Sequence, residues 1–409
     1  MIRRFAREHP LLAAIGLLAL AWLVISFVPP WADERVNDFY VYRMDGTAFL
    51  HGFPPYRDVL FEYPPLVAPL LALPALGGDV HEVYRVLFSA MMLGLAVPTL
   101  MLTRRLAALT GGNARVAAFA FALSPLLLGA TVRDHFDLAP VALMLGALVL
   151  LLRDRVTLGF AVLGLAAMAK GFPLVAAPIA LAWLLARGER RAALRGLVAL
   201  TAVVAALVGV AVALSPKGAL QAIQYHQDRP VQIESTPASV LFATEALGGA
   251  PTLIVESYRS NGVLHPSADA MTGLFAGLGM AVMALLVWRV VARPGPRELV
   301  LASLAAAAAF ACFGKVLSPQ YLIWTLPLLA LALAWRRRAL AVAVGAATVL
   351  TFVEFPFQFV DLVNHGSFPI VVVALRNVAL IASVAIAVLE LSPLPAREKA
   401  PAEAALDRV

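Results

Sequence analysis

The chain has 409 residues, 61% of them hydrophobic and only 14% charged, with a mean hydropathy of +0.85. Soluble domains carry about 25% charged residues, so this composition excludes a soluble enzyme and points to a polytopic membrane protein. A net charge of +7 does not restore a nucleic-acid reading, because the basic residues lie in short clusters between apolar runs without interleaved aromatics.

The N-terminus reads MIRRFAREHP and then runs apolar from Leu11 to Val28. That run is long for a signal peptide and no small-x-small cleavage site follows, so it is read as an uncleaved first membrane helix. Further apolar runs cover residues 83–103, 115–132, 138–152, 156–169, 172–186, 196–214, 271–292, 298–313, 321–335, 339–355 and 369–391. Several are shorter than the roughly 20 residues of a full span. The segment Tyr63–Leu76 is also apolar, but four prolines interrupt it. Proline removes helix donors, so this piece is expected to be interfacial or re-entrant.

The expected architecture is an all-α polytopic integral membrane protein of about 12 transmembrane helices. Residues 1–391 form one membrane domain, and residues 392–409 form a short, disordered cytoplasmic tail. With both termini inside, the inner segments hold 21 of the 32 Lys and Arg residues, as the positive-inside rule requires. Two long loops, 29–82 and 215–270, then face outwards. Cys312 stands alone, so no intramolecular disulfide forms.

That topology gathers the unusual polar residues on the outer side: Asp38, Asp45, Glu62, the RDHFD turn Arg133–Asp137, Lys170, the segment Tyr225–Ser235, Lys315 and Gln320. Lys170 interrupts an apolar run (AAMAKGFPLVAAP) and is costly there unless it snorkels to water or meets an anion. Transporters show internal repeats and midplane charges; neither is evident here, so a lipid-linked sugar transporter or flippase is the weaker reading.

Loop one carries D-x-x-V-Y at Asp38–Tyr42, G-x-P-P-Y at Gly52–Tyr56 and E-Y-P-P-L at Glu62–Leu66. K-G-F-P-L follows at Lys170–Leu174, Y-H-x-x-R-P-x-Q-I-E-S at Tyr225–Ser235 and S-P-Q-Y at Ser318–Tyr321. In this order the set, spread over about residues 30–385, resembles glycosyltransferase family 87. The resemblance implies a GT-C-like bundle with catalytic outer loops. It also implies an actinobacterial type of polyprenol-phosphate-mannose-dependent α-mannosyltransferase in the plasma membrane, acting on a glycolipid or polysaccharide of the cell envelope.

Such a reaction needs one carboxylate to take a proton from the acceptor hydroxyl and fixed cations to neutralise the leaving phosphate. The resemblance puts the base at Asp38, with Asp45 and Glu62 in reserve; a plain helix cap is the alternative for Asp38. Lys170, Arg229, Lys315 and Arg133 are the candidate phosphate ligands, although Asp134 and Asp137 stand as ordinary partners for Arg133. Tyr42, Tyr63, His226, Gln320 and Tyr321 are the candidate acceptor or sugar contacts, with an interface belt as the alternative for the tyrosines. Some family relatives carry histidine after the Ser-Pro pair, where this chain has Gln320 and Tyr321. A single base with direct displacement implies inversion. No cofactor or metal is expected, although Asp134, His135 and Asp137 lie close in sequence. The partners are a polyprenyl-phosphate sugar, the acceptor and the bilayer, without nucleic acid. A donor carrying arabinose or glucose fits the same residues.

Overall fold

The computed structural model describes residues 8–391; the basic cluster at Arg3, Arg4 and Arg7 and the expected tail 392–409 lie outside them. The described chain is mostly helical. Helix α1 (Pro10–Phe27) is followed by two short helices of loop one, α2 (Phe39–Leu50) and α3 (Val67–Ala75), and then by the long α4 (His81–Leu109). Next come α5 (Ala114–Leu123), a single turn at Thr131–Asp134, α6 (Leu138–Leu151), α7 (Val156–Ala169), α8 (Ala176–Ala186) and α9 (Arg190–Leu214). After loop two the chain continues through α12 (Ala268–Ala292), α13 (Pro296–Phe313), α14 (Leu326–Ala334), α15 (Arg338–Glu354), the short α16 (Phe359–Val363) and α17 (Ser367–Glu390).

Among the described residues six helices are long and apolar enough to cross a membrane: α1, α4, α9, α12, α13 and α17. The remaining apolar helices, such as α6 and α7 at 14 residues each, fall short of that length. The fold is therefore that of a multi-pass helical membrane protein. Twelve full crossings would need the short helices to cross as well.

Burial sorts the helices. In its most apolar stretch α13 is 72% buried, whereas α9 is 11% and α12 17% buried. The cause is legible in α13 itself: LASLAAAAAFACF is almost all small side chains, which lets neighbouring backbones approach closely. Helices α9 and α12 bury few of their Val, Leu and Met side chains, Leu200, Leu286 and Val290 among them, as lipid-facing helices do.

Loop two departs from the all-α expectation. It contains α10 (Pro216–Asp228), α11 (Thr236–Ala246) and a three-stranded antiparallel sheet in the order β1-β3-β2, with β1 at Val231–Gln232, β2 at Leu253–Ser257 and β3 at Ser260–Leu264. Local chemistry starts the two helices: Ser215 and Ser235 each cap one by accepting from a backbone N–H three residues on, with proline in the first turn. In loop one, Tyr63–Leu76 becomes the short α3 rather than a span. It packs on α2 so closely that a Cβ on Gly46 would lie 2.3 Å from the Leu71 carbonyl oxygen.

Candidate functional site

Loop one, His135 just after the Thr131–Asp134 turn, Lys170 at the end of α7, loop two, the Ser318 segment and the segment between α15 and α16 meet around one cavity of about 270 Å³. Seven of the residues expected from sequence line it: Asp38, Glu62, Tyr63, Lys170, Arg229, Gln320 and Tyr321.

Asp38 stands at the start of α2, and its side chain caps no backbone N–H there. Its Oδ2 instead accepts from the Tyr42 hydroxyl at 3.2 Å and lies 3.5 Å from Nε2 of His135. His135 is 3% exposed, and its Nδ1 lies 2.5 Å from Oδ1 of Asp134. Burial alone would lower the imidazole pKa, but Asp134 first, then Asp38 and Asp137, outweigh it and push it up to about 9. His135 thus sits between the buried carboxylate of Asp134 on one side and the 41% exposed carboxylate of Asp38 on the other, with its Nδ1 also 3.1 Å from the Thr131 carbonyl.

Lys170 ends α7, where the chain turns into an extended residue. Its Nζ is 2.7 Å from Oδ1 of the fully buried Asp137, and the Trp324 indole N–H donates to that same oxygen at 2.6 Å. The ammonium also lies 4.9, 5.2 and 5.6 Å from the ring centroids of Phe136, Tyr321 and Trp324, within cation–π range. The anion that makes this lysine tolerable is therefore Asp137 of the chain itself.

Arg229 faces the cavity with its Nε unpartnered. Lys315 supports it from behind: its Nζ donates to the backbone carbonyls of Gln227 and Arg229 at 2.6 and 2.7 Å, so it shapes the loop instead of lining the cavity. Burial first, then neighbouring Arg229, holds the Lys315 ammonium below the ordinary lysine value.

Four other expected residues also lie outside the cavity wall. Arg133 is 3% exposed and donates to Glu34 at 2.7 Å and to the Ile25 carbonyl at 3.0 Å; Arg85 pairs with the same Glu34. Tyr42 is buried against Phe88 and reaches the site through Asp38 and the ring of Tyr63. His226 bonds the Glu62 carbonyl at 2.9 Å, joining loop two to loop one. Asp45 is buried beside Glu62 and Arg259, and burial, reinforced by Glu62, pushes its carboxyl up to about 6.

Sequence reasoning missed His135, Gln232, Glu234 and Arg259 as wall residues. Gln232 and Glu234 stand inside the quoted Tyr225–Ser235 motif. Gln232 hydrogen-bonds both Glu234 and Ser318. Glu234 is 1% exposed with Oε1 unpartnered, and burial, then Glu354, raises its carboxyl well above the carboxylate range. Its backbone carbonyl accepts from Arg376 and Asn377 of α17. Nothing in the local sequence marks Arg259.

Among the described residues no group of three His, Cys, Asp or Glu side chains has the geometry to hold a metal ion. Asp134 and His135 face each other, whereas Asp137 turns away to Lys170 and Trp324.

The wall thus combines the carboxylates of Asp38, Glu62, Glu234 and Glu256, several cations and a set of amide and hydroxyl groups, the donor and acceptor types that handle anions and sugar hydroxyls. The model of glycosyltransferase family 87 matches residues 61–319. The chain belongs to this family. The match covers Glu62, Tyr63, Lys170, Arg229, Lys315 and the Ser318-Pro319 pair; Asp38, Gln320 and Tyr321 fall outside it. Two solved structures of the Archaeoglobus fulgidus oligosaccharyltransferase are also similar, one tethered to an acceptor peptide with the NVT sequon and one in the apo form. Both are 14% identical; they cover 95% and 97% of this chain with TM-scores of 0.45 and 0.44. The chain spans 56% and 59% of their length. No curated protein matches it.

Proposed function

We propose that this glycosyltransferase moves mannose from a polyprenyl-phosphate donor to a glycolipid or polysaccharide acceptor at the outer face of the plasma membrane, with inversion and with Asp38 as the general base. The observation that carries the reading is the meeting of opposite charges in one cavity: the carboxylate of Asp38 shares its wall with the guanidinium groups of Arg229 and Arg259. A lipid-linked sugar already has phosphate as its leaving group, so the protein has two tasks. The Asp38 carboxylate takes the acceptor proton as the acceptor oxygen attacks C1, and the C1–O bond breaks with its electron pair passing to phosphate. The guanidinium groups meet the charge that grows there.

The neighbours of Asp38 suit this role. Tyr42 and His135 both address Oδ2, which leaves Oδ1 for the acceptor hydroxyl. Lys170, neutralised by Asp137, contributes less net charge to a phosphate than Arg229 does, and its neighbour Tyr321, backed by the buried Trp324, presents an aromatic ring to the cavity. Gln232, Gln320, Asn261 and Ser318 supply hydroxyl partners on the remaining wall.

The test is transfer by purified protein from radiolabelled polyprenyl-phosphate-mannose to a mannolipid extract, with and without EDTA. Label in the acceptor, lost in Asp38→Asn and indifferent to EDTA, is the expected result. Transfer only from an arabinose or glucose donor would keep the chemistry and change the sugar. Passage of a lipid-linked sugar across a bilayer without a new glycosidic bond would sink the enzyme reading of this cavity.

A further inference from the structure

The sheet of loop two ends in a hairpin whose tip forms part of the cavity wall. Strands β2 and β3 pair from Leu253 with Leu264 to Ser257 with Ser260, so Tyr258 and Arg259 are the two central residues of the turn. Both have positive φ, 53° and 51°. A two-residue hairpin turn of this hand favours Asn and Gly at these places; a tyrosine and an arginine there are strained, and strain of this kind persists only where surrounding contacts impose it.

Those contacts are present. The Tyr225 hydroxyl donates to the Tyr258 carbonyl at 2.5 Å, and the two rings meet edge to face at 5.1 Å. The Arg259 guanidinium lies 3.7 Å from Asp45 Oδ2 and 3.7 Å from Glu62 Oε1. Both distances are long for an arginine–carboxylate pair, which closes to about 2.7–2.9 Å when it is hydrogen-bonded. Asp45 Oδ2 is correspondingly left without a hydrogen bond in a buried position. Arg259 itself is 40% exposed and lines the cavity together with Glu256, Tyr258, Ser260 and Asn261 of the same hairpin. It is a cation shared loosely between two carboxylates at the edge of a site that has room for an anion.

We propose that Arg259 is a transferable anion ligand: it rests on Asp45 and Glu62 while the cavity is empty and swings from them to the phosphate of a prenyl-linked substrate when one enters. The proposal rests on the donor reading above. In the transfer, a phosphodiester with one negative charge becomes a phosphate monoester with up to two, while the acceptor proton passes to Asp38. A guanidinium that can form two parallel N–H···O bonds therefore gains as the C1–O bond breaks, which is the differential binding that accelerates a reaction. Arg229 faces the same volume, so a phosphate held there meets two guanidinium groups. Asp45 and Glu62 compete with it for one of them.

This competition has a sign that a purely structural ion pair lacks. The experiment measures equilibrium binding of radiolabelled polyprenyl monophosphate to the full chain in phosphatidylcholine nanodiscs, for the wild type, Arg259→Gln, Arg259→Lys and Asp45→Asn, with melting temperatures alongside. The expected result is at least tenfold weaker binding in Arg259→Gln, an intermediate loss in Arg259→Lys, and severalfold tighter binding in Asp45→Asn. Unchanged affinity in Arg259→Gln overturns the proposal. So does weaker binding in Asp45→Asn, which makes the pair a clamp for the hairpin; this arm decides the matter even if Arg259→Gln does not fold. Displacement of the probe by equimolar phosphatidic acid would assign Arg259 to ordinary lipid headgroups and also overturn it. A wild type that binds no prenyl phosphate removes the donor reading together with the proposal, whereas wild-type binding indifferent to position 259 removes the proposal alone.

Discussion

The two sides of the cavity treat charge in opposite ways. On the side of Asp38, charged groups are paired within the protein: His135 with Asp134, Lys170 with Asp137, Arg133 with Glu34. On the side of loop two, Nε of Arg229 and Oε1 of Glu234 have no partner, and Arg259 stays 3.7 Å from the two loop-one carboxylates it faces. Buried polar atoms without partners are costly; Oδ1 of Asp134 and Oδ2 of Asp137 are left short as well, but these are acceptors, whereas Nε of Arg229 is a donor that an anion would complete. In the proposed reaction the side of Asp38 orients the base and the side of Arg229 receives the anion.

Replacing Asp38 should have the largest effect. Loss of a general base costs roughly 10²–10⁴ in rate, so Asp38→Asn should lower kcat by that range with the melting temperature held. A loss below tenfold would move the base elsewhere on the wall, to Glu62. Breaking the buried pair behind Lys170 comes next. Asp137→Asn leaves an ammonium facing a neutral amide, and such losses run at about 3–5 kcal/mol; the low end is expected because Lys170 is 18% exposed. Thermal unfolding in detergent measures this, and an unshifted midpoint would mean that Lys170 simply turns to water.

A smaller effect is expected on the opposite wall. Arg229→Ala should raise the donor KM about tenfold with little change in stability, because a charge-assisted hydrogen bond is worth about 1.5–3 kcal/mol and this guanidinium has an unpartnered nitrogen to give. Equal losses for donor and acceptor would erase the contrast between the walls. The smallest effect concerns pH. His135 is raised from 6.5 to about 9 in the folded protein, so its contribution to stability is complete below pH 6.5 and disappears as pH rises through about 9. The wild-type melting temperature should therefore fall across that window, and His135→Gln should flatten the fall. A profile unchanged by that substitution would leave Asp134 and Asp38 without the partner assigned to them.

Much of the fold was legible because lipid imposes a simple rule. Runs such as 196–214 and 271–292 sit inside helices α9 and α12, extended by their polar ends. The prolines of Tyr63–Leu76 correctly argued against a span. The sheet of loop two was not legible, since LIVES and SNGVL are short, half-exposed strands around a polar tip, and their pairing is a tertiary fact. The site divides in the same way. Asp38, Lys170 and Arg229 stand out by residue type in an apolar chain. What each does depends on partners far away: Asp137 lies 33 positions from Lys170 and Trp324 lies 187 from Asp137. The cost of a charge within an apolar run was visible in sequence; the identity of its compensating anion was not. Arg259 carried no signal at all, because an arginine in a polar loop is unremarked until the backbone folds it back on Asp45.

The cavity wall draws on residues from Val36 near the start of the chain to Phe359 near its end. A nascent polypeptide therefore owns Asp38 early in synthesis but lacks a reaction chamber until α15 and the segment after it have been threaded and packed. Any chain arrested before that point carries every motif of the first loop yet has nowhere to seat a substrate. A chain truncated before the end of α15 would therefore keep the first-loop motifs but lack Phe355 and Phe359, which complete the wall.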